Sequence, residues 1–543
     1  MAKRFGVMLD CSRNAVMKPE KVKEYAGLLH KMGYNMLMMY TEDTYEIEGE
    51  PYFGYLRGRY TKEELRSICE YCHSIGMEVI PAIQTLGHLN NIFRWGAYRP
   101  ICDMEPVLLA EDERTYALIR RMYAACREAY PYTNVINIGM DEAYGLGLGS
   151  YLKKHGYVPA HEILLRHLSR VIEIAKEFQF EPIMWSDMFF RLEHDGLYEV
   201  LDTPEEVKLS DEVVSLCPKG VSQVFWRYHS TNEEGYRNML REHKRFAGES
   251  WFGGGAFTWS SMAVGNGITL KAMFPAMRAC VKENTDNIVI TMWGDDGKNC
   301  SFYSMLPSLY AVRRCHQGVE DMEQIKKEFE ELFGERFDDM MLLDLPGDYG
   351  NTRPHDDTYH KYMLYNDPFF GFLDGLAQPN AKENYVAHAP KLQALADKGG
   401  RFAYLYQNMA NFCRVMAIKY DLGVRTRAAY ASGDKAQIAA LVADYRATGD
   451  ATEAFADSMR DVWYRENRPH GFEVQEHRLG GLAYRLHSLA NRLEQYVRGE
   501  ITTLPELEEE ILPYWVSRPA PFKEGDILPG VQGWRNMISV NRA

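Results

Sequence analysis

The 543-residue chain lacks any apolar run that reaches the ~18 residues a membrane span requires, which excludes a transmembrane helix. It also lacks a block of five or six lysines and arginines, and its formal net charge is −14. A phosphate backbone is therefore not its main partner, because binding one takes basic patches. No Gly-rich fingerprint follows the first strand-like run, which argues against a dinucleotide site. There is no His-Glu-x-x-His spacing for zinc and no Gly-x-Ser-x-Gly nucleophile elbow. No metal and no cofactor is expected. Internal repeats and low-complexity segments are missing too.

No leader sequence is expected either. The chain enters a strand-like run by Phe5, which leaves no room for a signal peptide and predicts a cytoplasmic protein. The ten cysteines are scattered. Cys69 and Cys72, followed by His73, have the spacing of a redox or haem-attachment motif. They lie inside a helical pattern, Thr61 to Ile75, so they read as small buried apolar residues in a reducing compartment.

What is present is an ordinary globular composition, 46% hydrophobic and 25% charged, long enough for a large core. Strand-like runs alternate with amphipathic helices up to about residue 315. The strands are read at 5–9, 35–40, 78–83, 134–139, 182–185, 221–226, 256–259 and 287–292. Between them come helices such as Pro19 to Met32, Glu113 to Ala129 and Asn232 to Lys244, with a last one from Phe302 to Arg314. The clearest stripe is Leu164, Leu168, Val171, Ile172 and Ala175. Eight strand-then-helix units predict a (β/α)8 barrel over residues 1–316. Beyond it helical patterns dominate: Leu405, Met409, Phe412 and Met416 share one face, as do Leu482, Leu486, Leu489 and Leu493. Residues 317–543 are thus a mostly α-helical C-terminal domain with an irregular tail around Trp515 and Trp534.

The chemistry-bearing residues collect at the ends of the strands. The run from Val135 ends in two adjacent carboxylates, Asp141 and Glu142, followed by Gly145, Gly147 and Gly149. Neighbouring carboxylates raise one another's pKa, which is how a site obtains an acid and a base at one pH. On an ideal strand Glu142 would point away from Asp141. Both reach one pocket only if the strand stops at Asp141 and the chain turns, a turn assigned to Gly145 and Gly147. Trp185, Trp226, Trp259 and Trp293 also fall at strand ends, four of the nine tryptophans. Aromatic walls with carboxylates and an arginine to take hydroxyls, here Arg13 and Asp295, make a carbohydrate pocket.

The segment from Asn137 to Glu142 resembles the His/Asn-x-Gly-x-Asp-Glu signature of glycoside hydrolase family 20, the β-N-acetylhexosaminidases. The order of the other strand ends is similar: Arg13 after the first, His88 in a Gly-His after the third, tryptophans on the fifth, sixth and eighth, and Asp295 after Trp293. The resemblance covers roughly residues 1 to 315. It departs in three places. No small α/β domain precedes the barrel, Gln84 replaces a common Asp, and the seventh strand offers Trp259 in place of an acetamido-binding tyrosine, for which Tyr228 is the substitute.

The resemblance implies a retaining, exo-acting hydrolase of terminal β-linked N-acetylhexosamines, whose substrate acetamido oxygen serves as nucleophile through an oxazolinium ring. Asp141 would orient the acetamido group, Glu142 would act as acid and base, and the four tryptophans would wall the pocket. His88 would tune Glu142, and Glu42 and Asp43 would line the site. The choice between GlcNAc and GalNAc rests on a contact to O4, from Arg13 or Asp295. A glycan or glycoconjugate is the partner implied, with a homodimer as the assembly. Two other readings are an O-GlcNAc hydrolase type, against which the Asp-Glu order counts, and a non-catalytic sugar-binding barrel.

Overall fold

The computed structural model describes residues 2–193, 208–347, 359–377, 380–512 and 533–541. Eight strands form one closed parallel barrel in sequence order, with the first strand paired to the last. They are β1 (Arg4–Asp10), β2 (Met36–Tyr40), β3 (Glu78–Ala82), β4 (Val135–Asn137), β5 (Glu181–Trp185), β6 (Ser222–Trp226), β7 (Trp251–Gly255) and β8 (Asn287–Met292). The expected (β/α)8 architecture is therefore present, with a mostly helical remainder.

The helices behave as their sequences direct. Pro19 opens the helix Pro19–Lys31 at a position where its missing N–H costs nothing. Thr61 and Glu64 form a reciprocal capping box that starts the helix Lys62–Ser74. Cys69 and Cys72 are buried in that helix, and all ten cysteines are free thiols. Leu164, Leu168, Val171, Ile172 and Ala175 are buried along the helix Ala160–Glu177.

Register brings the first strand ends level. Asp10 pairs with Tyr40, Tyr40 with Ala82, and Ala82 with Asn137. The residues immediately beyond these points therefore emerge together on the C-terminal face, where barrel chemistry sits.

Three boundaries differ from the sequence reading. The seventh strand is Trp251–Gly255, not residues 256–259. Packing explains two of its three glycines. A Cβ on Gly253 would lie 3.0 Å from Trp185 Cζ3 and 3.3 Å from Trp226 Cβ, and one on Gly254 would lie 2.5 Å from Met273 Sδ. Large neighbours occupy the space, so at these two positions the strand contributes backbone only. The fourth strand stops at Asn137, two residues earlier than expected. The last barrel helix starts as a tight 3₁₀ turn at Phe302–Met305 and continues as Leu306–His316.

Two compact units interleave along the chain. The first comprises Met1–Ala256, Thr269–Trp293 and Ser308–Glu328, and the second Phe257–Ile268, Gly294–Pro307 and Phe329–Ala543. Within the second, Leu405, Met409, Phe412 and Met416 are buried on the helix Ala403–Lys419, and Leu482, Leu486, Leu489 and Leu493 on Glu473–Arg498. Trp534 begins a short helix, Trp534–Ile538, while Trp515 lies outside the described residues. Among the described residues no helix is long and apolar enough to cross a membrane.

Candidate active site

The site starts where β4 ends. Gly139, Met140 and Glu142 all take left-handed backbone conformations, with φ of 70°, 68° and 47°. Such values cost a residue with a side chain about 1 kcal/mol or more. They turn the chain sharply, so that Asp141 and Glu142 both approach His88 rather than pointing to opposite sides. The turn is therefore made within the motif itself and not by Gly145 and Gly147. Gly139 is required twice over, because a Cβ there would lie 2.0 Å from Gln84 Oε1.

Asp141 is buried and held on both oxygens. Gln84 Nε2 donates to Oδ1 at 2.8 Å, and His88 Nε2 lies 3.1 Å from Oδ2. The same His88 nitrogen is 3.6 Å from Glu142 Oε2. It is poorly aligned for a hydrogen bond to either, so charge holds the contact. Burial pulls the His88 pKa down, but the Asp141 carboxylate outweighs it and the value rises to about 9. Burial likewise pushes Asp141 up, and the His88 charge with the hydrogen bond from Gln84 brings it below its usual range. Glu142 moves the other way, raised first by burial and then by the Asp141 charge. Its side chain keeps 38% of its surface exposed, so water softens that rise. One carboxylate is thus held ionised beside another that favours its proton.

Behind Asp141 runs a buried polar chain. Gln84 Nε2 also contacts the Tyr40 hydroxyl at 2.9 Å, and Gln84 Oε1 accepts the Met140 N–H at 3.2 Å. Tyr40 donates to Glu42 Oε1 at 3.1 Å, where Arg13 Nη1 also donates at 2.5 Å. Arg13 lies 3.6 Å from Asp10 as well. Arg57 pairs with Asp43 at 3.0 Å and donates to the Arg13 carbonyl at 2.9 Å. Burial raises Glu42, and raises Asp43 to about 6.

Behind Glu142 stands a second support. Its backbone N–H donates to Asp187 Oδ2 at 3.1 Å, and Arg191 Nε donates to the same oxygen at 3.0 Å. Arg191 Nη2 lies 3.9 Å from Glu142 Oε1. Asp187 is fully buried, and burial with the Asp141 charge raises it to about 6.

Three of the four expected tryptophans come together. Trp185 and Trp293 have ring centroids 6.0 Å apart, and Tyr40 meets Trp293 edge-on at 4.8 Å. Trp226 stacks on Tyr228 at 5.3 Å, and Trp293 Nε1 donates to the Tyr228 hydroxyl at 3.0 Å. The Arg13 guanidinium lies 5.6 Å from the Trp293 ring. Trp259 does not sit at a strand end, because β7 stops at Gly255; it belongs to the second unit and stacks on Phe257 at 4.5 Å. Asp295 also belongs to the second unit, where its carbonyl accepts the Ser260 N–H at 3.0 Å.

Sequence reasoning missed the supporting groups Tyr40, Asp187 and Arg191, and left Gln84 without a role. The Asp187–Arg191 spacing of four on one helix was a usable signal. Tyr40 carried none, since it ends an apolar strand. Among the described residues no cluster of three or more His, Cys, Asp or Glu is placed to hold a metal ion. A carboxylate pair of opposed proton affinity under an aromatic wall suits a polyhydroxylated ring with a cleavable bond.

Residues 336–524 match the family model of the Glycoside Hydrolase 20C C-terminal domain. Hexosaminidase D of Bos taurus is 27% identical over 245 residues, which is 43% of this chain and 66% of that protein. Hexosaminidase D of Homo sapiens is 24% identical over 244 residues, 44% of this chain and 47% of that protein. The chain thus spans about half to two thirds of the length of these curated relatives. Among solved structures, a chitobiase from Flavobacterium johnsoniae is similar with a TM-score of 0.47 and 16% identity, over 93% of this chain and 74% of that one. The chain is thus similar to a family 20C domain over residues 336–524 and to the hexosaminidase D proteins over less than half of its length.

Proposed function

We propose that the chain is a retaining exo-β-N-acetylhexosaminidase that releases terminal β-linked GlcNAc or GalNAc by substrate-assisted catalysis. The observation that carries this reading is the split between Asp141, held below its usual range, and Glu142, raised above it, at one strand-end turn. In the first step the acetamido oxygen attacks the anomeric carbon. Glu142 gives its proton to the leaving oxygen as the glycosidic bond breaks. Asp141 accepts the acetamido N–H and balances the positive charge of the oxazolinium ring. In the second step Glu142 takes a proton from water, which attacks the anomeric carbon and reopens the ring. Holding the acetamido group against the anomeric centre makes the attack intramolecular, which is a large share of the rate.

Trp185, Trp226 and Trp293 wall the sugar and its acetamido methyl. The Tyr228 hydroxyl, which accepts from Trp293 Nε1, stands in for the acetamido-binding tyrosine. Arg13, fixed by Glu42 and Asp10, takes the sugar hydroxyls. His88 joins the two carboxylates electrostatically. We assign catalysis to residues 1–316 and leave 317–543 as the accompanying helical domain. The free thiols support a reducing, cytoplasmic setting, and sedimentation equilibrium tests the paired assembly.

The test is hydrolysis of chromogenic β-N-acetylglucosaminide, β-N-acetylgalactosaminide and plain β-glucoside by wild type, Asp141→Asn and Glu142→Gln. Turnover of the acetamido sugars alone, lost in both variants, is the expected result. Equal turnover of the plain glucoside would overturn the acetamido mechanism. Binding without turnover would favour a sugar-binding barrel.

A further inference from the structure

The helix that follows β5, Asp187–Glu193, brings two opposite charges to the acid. Asp187 is the fixed one. It is fully buried, and its Oδ2 accepts the Glu142 N–H at 3.1 Å. The residue before it is anchored too. The Ser186 N–H donates to the Val224 carbonyl at 3.2 Å, and the Ser186 hydroxyl meets His243 Nε2 at 2.8 Å. His243 Nδ1 lies 2.7 Å from the Met239 carbonyl, which can only accept. The ring proton therefore sits on Nδ1, and Nε2 accepts the Ser186 O–H. Burial lowers the His243 pKa to about 4, which keeps the ring neutral.

Arg191 is the adaptable one. Its Nε donates to Asp187 Oδ2 at 3.0 Å, while its Nη2 stands 3.9 Å from Glu142 Oε1. The first is a hydrogen bond and the second is not. A charge-assisted contact forms at about 2.7–2.9 Å, so roughly 1 Å of side-chain movement separates the two arrangements. Asp187 Oδ1 has no hydrogen-bond partner among the described residues. Arg191 is thus held by one oxygen, without the two-oxygen fork that fixes a guanidinium most firmly.

The charge on Glu142 decides which carboxylate Arg191 prefers. Among the described residues, the charged groups facing Glu142 are Asp141, His88, Asp187 and Arg191. Asp187 faces Asp141, Arg191 and the Glu142 N–H. His88 lies 3.1 Å from Asp141 and matches its charge. A protonated Glu142 offers Arg191 no charge, so the cation rests on Asp187. Once Glu142 is anionic, two carboxylates compete for one guanidinium.

We propose that Arg191 is a positioning residue that alternates between Asp187 and Glu142 as the acid gives up and regains its proton. This rests on the hydrolase reading above. When the proton goes to the leaving oxygen, Arg191 closes on the new carboxylate and steadies it. When water returns a proton to Glu142, Asp187 draws the guanidinium back. Asp187 therefore keeps the acid protonated at rest, and Arg191 keeps it from being too weak an acid.

The experiment follows kcat/KM against pH for a chromogenic β-N-acetylglucosaminide. The basic limb reports loss of the proton from the acid. Its position does not depend on the folded fraction, so a destabilised variant still answers. Asp187→Asn keeps an oxygen for the Glu142 N–H but removes the competing charge, so Arg191 stays on Glu142. The limb then moves to lower pH by about one unit, a shift moderated by the part-exposed Glu142 side chain. Adding Arg191→Met to Asp187→Asn returns the limb to its wild-type position or above. Adding Arg191→Lys instead retains the cation and holds the limb low. A limb that stays in place in Asp187→Asn, with only the rate reduced, would make the pair purely structural. That result overturns the proposal and leaves the hydrolase reading standing. A wild type inert on this substrate would overturn both.

Discussion

Both units of the molecule bury charge, but they treat it differently. In the helical unit, Lys361 has no exposed side-chain surface and meets Asp296 at 2.7 Å through the carboxylate and at 2.9 Å through the carbonyl. Arg478 donates to the same carbonyl at 2.7 Å, and the Lys419 ammonium donates to the Met363 and Asn366 carbonyls at 2.7 and 2.8 Å. These cations staple backbone. At the barrel's strand ends the excess is of carboxylates. Glu42, Asp43, Glu142 and Asp187 are all raised by burial, and Asp141 alone of that group is held down. Two of the residues in the turn are also left-handed without being glycine. Buried charge by itself therefore does not mark a site. Convergence of groups kept away from their preferred ionisation, on a strained turn, does.

That contrast predicts which substitutions strike activity and which strike the fold. The largest effect belongs to Glu142→Gln and Asp141→Asn, each expected to lower kcat by about 10³-fold or more with little change in thermal unfolding. Gln84→Glu comes next. It replaces the donor on Asp141 with a second acid, and two carboxyls at hydrogen-bond distance share a proton. The acidic limb of the kcat/KM profile should then move to higher pH by about one unit or more, where Gln84→Met would lower the rate without that shift. In the helical unit, Lys361→Met leaves Asp296 with one cation fewer. Breaking such a buried pair costs about 3–5 kcal/mol, read as a lower denaturation midpoint, with kcat per folded molecule unchanged.

The smallest effect is in pH dependence. The His88 pKa is about 9 in the fold, above the ordinary 6.5. A raised histidine contributes stability that is complete below pH 6.5 and is lost as pH climbs through 9. The stability difference between wild type and His88→Gln should shrink across that window, by on the order of 2 kcal/mol. A difference that is flat from pH 6 to 10 would mean that the ring does not titrate against Asp141.

The same contrast explains what was readable beforehand. Seven strands were found within a few residues because their apolar runs alternate with amphipathic helices. The strand Trp251–Gly255 was not, since Gly253 and Gly254 are dictated by Trp185, Trp226 and Met273, residues remote in the chain. Asp141 and Glu142 were legible as a pair. Their shared orientation was not, because positive φ at Met140 and Glu142 leaves no mark in residues that rarely adopt it. Arg13, His88, Trp185, Trp226, Tyr228 and Trp293 were placed by their strand ends. Trp259 was placed at the end of a strand that in fact stops at Gly255. Gln84 was visible as a departure, but its role depends on reaching Asp141, 57 residues away.

The central claim is that the substrate's own acetamido oxygen is the nucleophile, aided by Asp141 and Glu142. It is tested most directly with aryl β-glucosaminides carrying N-acetyl, N-fluoroacetyl, N-difluoroacetyl and N-trifluoroacetyl groups. Each fluorine withdraws electron density from the carbonyl oxygen. kcat should fall steeply along the series. A flat series would contradict it and transfer the attack to a protein carboxylate.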